Sequence, residues 1–215
     1  MKPDSYVVHI VDDEEPVRKS LAFLLTMSGF TVRVHESATH FLAVAPSLAN
    51  ACLVTDLRMP DMTGVELLEK LGAIGALPPA IVITGHGDVP MAVSAMKAGA
   101  VDFIEKPFED QTLIDAITRA ASRLEDTAEI SADVGALRTR LENLSERERQ
   151  VLAAVVTGFP NKTIAYDLDI SPRTVEVHRA NIMSKMQAKS LAELVRMAIA
   201  LKVNDARHRD VPQDG

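Results

Sequence analysis

One stretch near the start of the chain sets the pattern of its first half: Tyr6-Val7-Val8-His9-Ile10-Val11-Asp12-Asp13-Glu14. An apolar run of strand length leads there directly into three carboxylates. Four more runs of this length, rich in Val and Ile, follow at 30–34, 51–55, 80–84 and 100–104. Amphipathic stretches of helical period separate them, at about 15–28, 38–45, 64–73, 89–98 and 108–122. Five strands alternating with five helices predict an α/β domain with a five-stranded, doubly wound parallel sheet covered on both faces.

The second half of the chain has a helical pattern with short breaks. Ser145, followed three residues later by Glu148, forms a capping box that marks a helix start. A short helix over residues 161–168 and a turn lead to Ser171-Pro172, a strong start signal for a helix that extends to Met186. Two helices joined by a short turn, the second carrying basic residues, predict a helix-turn-helix.

These patterns divide the chain into four parts. Residues 1–123 form the predicted α/β domain, and residues 142–205 form an all-α helix-turn-helix domain of four helices. Residues 124–141 contain no proline and repeat leucine at helical spacing, so we expect a helical linker between the two domains. The polar residues 206–215 are expected to be a disordered tail.

The composition excludes several classes of protein. With 47% apolar and 25% charged residues, the chain can bury a core without covalent staples. The single cysteine, Cys52, excludes an internal disulfide framework and every multi-cysteine metal or iron–sulfur site. No apolar run approaches the ~20 residues that span a bilayer, and the first residues lack the apolar core of a signal peptide. We therefore expect a cytoplasmic protein that does not bind a membrane.

The net charge of −7 is unevenly distributed along the chain. Residues 1–123 carry 10 basic and 16 acidic residues, a net charge of −6, whereas residues 142–205 carry a net charge of +1. Within the second domain, residues 172–186 hold three basic side chains against one acidic side chain. A helix this basic can meet nucleic-acid phosphates even in a protein that is acidic overall.

Acidic side chains follow two of the predicted strands. Asp12 and Asp13 come directly after the first strand, and Asp56 comes after the third. The carboxyl ends of parallel strands emerge at one edge of a doubly wound sheet, so these three side chains should converge. Three carboxylates repel one another unless a cation lies among them, and hard oxygen ligands suit Mg²⁺. The sequence therefore predicts a site for Mg²⁺, or Mn²⁺, at this edge.

A hydroxyl and an ammonium complete the same edge. Thr84 ends the fourth strand, and Lys106 follows the fifth, next to Pro107, whose peptide bond is a candidate for the cis form. This set suits phosphoryl transfer, with Asp56 as the nucleophile and with Lys106 and Thr84 donating to the acquired oxygens. Each residue alone is typical of a solvated loop or a turn, but their coincidence at the ends of four strands favours a site.

Residues 1–123 resemble a response-regulator receiver domain, with motifs in the same order. The resemblance lies in Asp12-Asp13, Asp56, Met59-Pro60-Asp61, Gly64, Thr84, Phe103 and Lys106-Pro107. It implies a flavodoxin-like fold, Asp56 as the phospho-acceptor, and Mg²⁺ held by Asp13, Asp56 and the backbone carbonyl of Arg58. It also implies that Thr84 and Phe103 form a switch pair, in which the hydroxyl moves to the phosphoryl group and the ring rotates inward. Such a domain is no enzyme beyond its own phosphorylation and dephosphorylation.

The second helix of the predicted helix-turn-helix has two faces. Val175, Ile182 and Met186 recur at the spacing of a buried face. The other face, left for solvent or DNA, carries Arg173, Thr174, Glu176, His178, Arg179 and Lys185. On the preceding helix, we expect Lys162 and Thr163 to contact the DNA backbone. An ordinary amphipathic helix with a solvated charged face is the alternative for this pattern.

Residues 142–201 resemble the LuxR-type DNA-binding domain. The resemblance lies in residues 144–148, Gly158, residues 161–165, Leu168, Ile170-Ser171 and residues 174–178. A receiver followed by this domain is the architecture of the NarL/FixJ family of two-component response regulators. That family implies a cognate sensor histidine kinase, promoter DNA and RNA polymerase as partners, and a phosphorylated homodimer formed through helix 4, strand 5 and helix 5.

Two stretches indicate a branch of that family. Residues 82–92 and 173–179 are similar to members that activate nitrogen-fixation genes. This resemblance implies control under low oxygen by an oxygen-sensing haem kinase of the FixL type.

Two other functions share parts of this pattern. Phosphatases that form an aspartyl phosphate with Mg²⁺ also have acidic strand ends, but they usually need an acid/base two residues after the nucleophile, where this chain has Arg58. A LuxR-type sensor of a small molecule such as an acyl-homoserine lactone would need a ligand cavity, often lined by aromatic residues, and this chain has no Trp. A phosphorylation-activated transcriptional activator fits the sequence best.

Overall fold

The structure, a computed structural model, describes residues 6–85, 89–122, 130–201 and 203. The chain divides into two compact units, one built around a sheet and one built of helices. The predicted tail at 206–215, the start of the predicted linker and residues 86–88 of the family-like stretch at 82–92 lie outside the described residues. In the part of the chain that is described, no helix is long and apolar enough to cross a membrane.

The sheet unit contains five parallel strands in the order β2-β1-β3-β4-β5. They are β1 (Val7–Val11), β2 (Thr31–His35), β3 (Ala51–Asp56), β4 (Ala80–Thr84) and β5 (Asp102–Glu105). This order, with β1 between β2 and β3, is the doubly wound arrangement predicted from the alternating pattern. It places the ends of β1, β3, β4 and β5 side by side at one edge.

Five helices alternate with the five strands along the chain. They are α1 (Glu15–Met27), α2 (Ala38–Val44), α3 (Gly64–Ala73), α4 (Val89–Lys97) and α5 (Asp110–Ser122), with a short 3₁₀ turn at Ala45–Ser47. One apolar cluster joins Val8, Ile10, Val54 and Ile83 of the strands to residues of α1 and α5. Strand β4 is buried along its whole length, as expected for a parallel strand with helices on both faces.

Besides β1, which begins one residue late at Val7, two strands begin later than the apolar runs predicted. The run at 30–34 gives a strand from Thr31, and the run at 100–104 gives a strand from Asp102. The first residues of both runs instead close the preceding helix. The N–H of Phe30 donates to the carbonyl of Leu25, and the N–H of Ala100 donates to that of Ala95, both at 3.0 Å.

The helical unit contains α6 (Ile130–Glu142), α7 (Glu146–Thr157), α8 (Asn161–Asp167), α9 (Pro172–Met186) and α10 (Leu191–Ala200). Helix α6 lies in the stretch predicted to be a linker. The capping box of Ser145 and Glu148 starts α7, and Gly158, with a φ of 97°, ends it in the left-handed conformation that favours glycine. Ser171 caps α9, which has the predicted bounds.

Candidate functional site

The predicted carboxylates and Lys106 meet at the carboxyl edge of the sheet. Asp12, at the end of β1, is buried, and Asp56, at the end of β3, is partly exposed. The Nζ of Lys106, just after β5, lies 3.0 Å from Oδ1 of Asp56 and 3.4 Å from Oδ2 of Asp12. The ammonium therefore bridges two acidic residues that are 44 positions apart in the sequence.

Backbone groups orient the two carboxylates. The N–H of Arg58 donates to Oδ2 of Asp56 at 2.7 Å, so both oxygens of Asp56 have a donor. The N–H of Glu14 donates to Oδ1 of Asp12 at 2.8 Å. These bonds hold each side chain in one direction without blocking the exposed side of the site.

Arg18 is a site residue that the sequence pattern did not indicate. Its Nη1 donates to the backbone carbonyls of Asp12 and Asp13, at 2.7 and 2.8 Å. The guanidinium therefore fixes the acidic loop from one turn inside α1. In the sequence, Arg18 is one of several polar residues of an amphipathic helix. The helical hydrophobic pattern does not distinguish it from the solvent-exposed polar residues around it.

Burial and charge shift the pKa values at this edge. Burial, followed by the negative charge of Asp56, raises the pKa of Asp12, although the Glu14 N–H and Lys106 oppose the rise. Burial alone would lower the pKa of Lys106, but its bonds to and attraction by Asp56 and Asp12 outweigh burial and raise it. Lys106 thus stays protonated and donates to both carboxylates.

Gly64 lets α3 begin directly against the loop that follows Asp56. The N–H of Gly64 donates to the carbonyl of Leu57 at 2.9 Å. A Cβ at position 64 would lie 2.5 Å from the carbonyl oxygen of Asp56 and 3.3 Å from the Cα of Leu57. Because both neighbours are backbone atoms, neither can move aside easily. This contact explains why the receiver-like motif places a glycine here.

The predicted switch pair lies on the adjacent strands β4 and β5. Thr84 is buried at the end of β4, and Phe103 is partly buried on β5, opposite Val82. The N–H of Lys106 donates to the carbonyl of Thr84 at 2.7 Å, which joins the ends of the two strands. The Lys106-Pro107 peptide bond is cis. Thr84 and Lys106 therefore border the same edge as Asp56.

The donor set at this edge fits a magnesium ion of ordinary coordination. Asp13 is exposed and directly follows Asp12, which shares the Lys106 ammonium with Asp56. Within the described residues, no three His, Cys, Asp or Glu side chains already stand as a metal cage. Magnesium does not require such a cage, since it usually binds one or two carboxylates and keeps several waters. Asp13, Asp56 and the Arg58 carbonyl are the residues that would hold it.

The residues predicted to bind DNA differ in their exposure to solvent and in their partners. Val175, Ile182 and Met186 are completely buried, as their spacing predicted. The side chain of Arg173 is 84% exposed and pairs at 2.8 Å with Glu176 on its own helix. Exposed or partly exposed positions on α8 and α9 also include Lys162, Thr163, Thr174 and His178.

Two cations of α9 instead have partners on other helices. Nη1 of Arg179, which is partly buried, donates to Oδ1 of Asn161 on α8 at 3.0 Å. Nζ of Lys185 donates to Oε2 of Glu148 on α7 at 2.7 Å. The sequence placed both cations on the outer face but could not show these contacts, because the partners are 18 and 37 positions away.

Comparison with known families assigns both units. Residues 8–118 match the response regulator receiver domain, and residues 142–198 match the bacterial regulatory proteins of the luxR family. The chain belongs to the NarL/FixJ family of response regulators. This two-component response regulator therefore combines a receiver domain, which carries the carboxylate edge described above, with a LuxR-type DNA-binding domain, and a histidine kinase and DNA are its partner classes.

Two relatives that are similar to this response regulator over almost their whole length are named as transcriptional regulatory proteins. It is 70% identical over 195 residues to the transcriptional regulatory protein FixJ of Rhizobium meliloti, covering 91% of this chain and 96% of the relative. It is 53% identical to FixJ of Azorhizobium caulinodans, covering 95% and 97%. Among solved structures, full-length FixJ from B. japonicum is 46% identical with a TM-score of 0.56, covering 93% and 98%. The crystal structure of FixJ-N is 70% identical with a TM-score of 0.54, covering 57% of this chain and 96% of that one.

Proposed function

We propose that this response regulator accepts a phosphoryl group on Asp56 from a histidine kinase, dimerises, and then binds promoter DNA as an activator. One observation carries the proposal. Asp56 is partly exposed, while Lys106 and the Arg58 N–H hold its two oxygens at 3.0 and 2.7 Å. An oriented carboxylate at an accessible edge, beside fixed donors, is arranged for in-line attack on phosphorus.

The proposed reaction transfers a phosphoryl group from a phosphohistidine of the kinase. A carboxylate oxygen of Asp56 bonds to phosphorus while the P–N bond breaks, and its electron pair returns to the imidazole nitrogen. Lys106 remains a cation and donates to a phosphoryl oxygen, and the Thr84 hydroxyl turns toward another. When bound, Mg²⁺ supplies positive charge that offsets the charge of the carboxylates and the phosphoryl oxygens.

The proposed switch links that edge to a dimer surface. Once Thr84 turns toward the phosphoryl group, it vacates space beside β5 into which the ring of Phe103 can rotate. The surface of α4, β5 and α5 then changes shape, and Val89, Met91 and Val101 are the apolar candidates for the contact between two copies. Dimerisation would place two α9 helices on half-sites about 10 bp apart, centre to centre.

The family assignment gives only a histidine kinase and DNA as classes of partner, and we propose a specific type of kinase and of target gene. By resemblance, the kinase is an oxygen-sensing haem kinase of the FixL type, and the targets are nitrogen-fixation genes activated under low oxygen. The high identity to two FixJ proteins supports this assignment. An activator of this kind works with RNA polymerase at promoter DNA, which places it in the cytoplasm.

Labelling tests the phosphoacceptor directly. We expect wild-type protein, incubated with acetyl phosphate labelled at phosphorus and with Mg²⁺, to gain one acid-labile phosphate that peptide mapping places on Asp56. Asp56→Asn should lose this label, because an amide is not an anionic nucleophile. Asp13→Ala should label weakly, and excess Mg²⁺ should partly restore it. Undiminished labelling of Asp56→Asn, with the phosphate mapped elsewhere, would overturn the assignment.

A further inference from the structure

A buried carboxylate joins the first helix of the helix-turn-helix domain to the helix proposed to enter DNA. The side chain of Glu148, in the first turn of α7, is only 5% exposed. Its Oε2 accepts from Nζ of Lys185 at 2.7 Å and from the N–H of Ser145 at 2.7 Å. A carboxylate at this depth needs a cation and hydrogen bonds, because an isolated buried charge is strongly unfavourable.

The hydrogen bond from Lys185 to Glu148 anchors the C-terminal end of α9. Lys185 is in the last turn of the helix, one residue before the buried Met186. A cation there is also favoured by the partial negative charge of the helix C-terminus. The Nζ of Lys185 contacts the Glu148 carboxylate, while the Lys185 side chain as a whole is 41% exposed.

Directional bonds and apolar contacts act differently on α9. Val175, Ile182 and Met186 bury its inner face, but apolar contact is non-directional and tolerates small rotations and shifts. A charge-assisted hydrogen bond of 2.7 Å fixes both a distance and a direction. The bond from Arg179 to Asn161 adds a second such contact, to α8, six positions earlier in α9.

We propose that Glu148 is a positioning residue for DNA recognition, which fixes the rotation and depth of α9 through Lys185, and that Lys185 acts in this pair rather than as a phosphate contact. The inference rests on the proposed function, in which α9 enters the major groove. It revises the expectation that Lys185 faces DNA. To bind a phosphate, the ammonium would have to leave Glu148, and that carboxylate would remain buried without a cation.

The ionisation of Glu148 agrees with this arrangement. The hydrogen bond from Lys185, with that from the Ser145 N–H, lowers the pKa of Glu148 to about 2. The carboxylate is therefore ionised throughout the range in which the protein would bind DNA, so it needs the contact with the Lys185 ammonium throughout that range.

Loss of the pair should reduce sequence discrimination more than general affinity for DNA. Contacts to base edges need accurate placement of side chains in the groove, whereas attraction to phosphates is long-range and tolerates displacement. A recognition helix that rotates or tilts slightly would therefore keep its phosphate contacts and lose its base contacts.

The experiment compares variants of the full chain after treatment with acetyl phosphate and Mg²⁺. Two duplexes serve as probes: one selected by the wild type from a random library, and one of random sequence, each titrated over a salt series. The variants are Glu148→Gln, Lys185→Gln, both together, and Lys185→Arg, which keeps a cation for Glu148. Glu146→Gln is the matched control, because that side chain lies two positions away on the same helix and is 72% exposed. Circular dichroism at the assay temperature establishes that each variant is folded.

We expect Glu148→Gln to weaken binding of the selected duplex about tenfold or more, while binding of the random duplex changes less than about twofold. Lys185→Gln should have the same effect, and the double variant should be no worse than either single one. Lys185→Arg should recover much of the discrimination. The salt dependence should stay that of the wild type in all of them.

Three results would overturn the inference. The first is a Glu148→Gln protein that binds like Glu146→Gln. The second is a Lys185→Gln protein whose salt slope falls by about one unit on both duplexes, which would identify a phosphate contact. The third result matters if Glu148→Gln fails to fold. In that case, a role for the pair would be excluded if Lys185→Gln and Lys185→Arg distinguished the selected duplex from the random duplex equally well. A wild type that selects no sequence would instead contradict the proposed function itself.

Discussion

At the scale of single residues, the carboxylates of Asp12 and Asp56 form one polar cluster of the sheet unit, and a pair of buried histidines forms another. The histidine pair lies inside the unit, where His9 of β1 stacks on His35 of β2 with ring centroids 5.2 Å apart. Nδ1 of His9 and Nε2 of His35 are 2.9 Å apart, so one of the rings donates to the other. Both rings pack against Phe41 of α2, and His40 meets the edge of His35. This buried environment favours two neutral imidazole rings and disfavours protonation of either one.

The histidine pair should make the sheet unit sensitive to acid. Burial, with the charges of His9, His40 and Arg33, lowers the pKa of His35 to about 4, and burial lowers that of His9. The unfolded chain therefore binds more protons than the folded one below pH 6.5, and stability falls as the pH drops from about 6.5 to about 4. Urea unfolding across this range should show a smaller loss for His35→Gln than for the wild type. His178→Gln, on α9 of the helical unit and outside this cluster, is the control, and a pH dependence in His35→Gln equal to that of the control would contradict the account.

At the scale of elements, periodicity predicted every strand and helix of the sheet unit, and the differences have local causes. The strands at Thr31 and Asp102 begin late because the preceding residues close a helix. The spacing of apolar residues predicts which face of a helix or strand is buried. It does not predict which polar side chains on two different elements contact each other. The bridge from Lys106 to Asp56 was predictable, since both follow strands at one sheet edge. The bonds of Arg18, and of Lys185 to Glu148, were not, because they depend on how particular helices pack.

The start of α3 gives a stability prediction with an internal control. Gly64→Ala should lower the free energy of unfolding by about 2 kcal/mol, because its Cβ would meet the backbone of Asp56. Gly72→Ala, in the same helix with nothing within 4 Å of the added Cβ, should be neutral or stabilise by up to about 1 kcal/mol. Thermal unfolding of the two variants beside the wild type measures both. Equal stability of the two variants would remove the steric explanation for Gly64.

Helix α9, which is proposed to contact DNA, gives a prediction about sequence specificity. Arg173, near the start of α9 and 84% exposed, is placed to reach a base edge, so Arg173→Ala should cost about 1–3 kcal/mol on the selected site and relax preference at one position. Lys162→Ala on α8 should instead weaken all sequences alike and reduce the salt slope by about one unit. Titration of target and random duplexes over a salt series separates these outcomes. If Arg173→Ala left both affinity and preference unchanged, α9 would not read DNA in the proposed way.

At the scale of the whole molecule, phosphorylation should change the state of association. A phosphoryl group adds close to two negative charges and three acceptor oxygens, which is enough to reorient Thr84. We expect sedimentation of the protein near ten micromolar to show a dimer only after treatment with acetyl phosphate and Mg²⁺. Asp56→Asn should sediment as a monomer in both conditions. A wild-type protein that stays monomeric after stoichiometric phosphorylation would argue against the α4–β5–α5 dimer.

The most direct test of the central claim is the affinity for the selected duplex, measured for the wild type and for Asp56→Asn, each with and without acetyl phosphate and Mg²⁺. If phosphorylation of Asp56 switches on DNA binding, the wild type tightens by at least about tenfold on treatment, whereas Asp56→Asn keeps its untreated affinity. An equal gain in both proteins, or no gain in a wild type shown to carry the phosphate, would contradict the account.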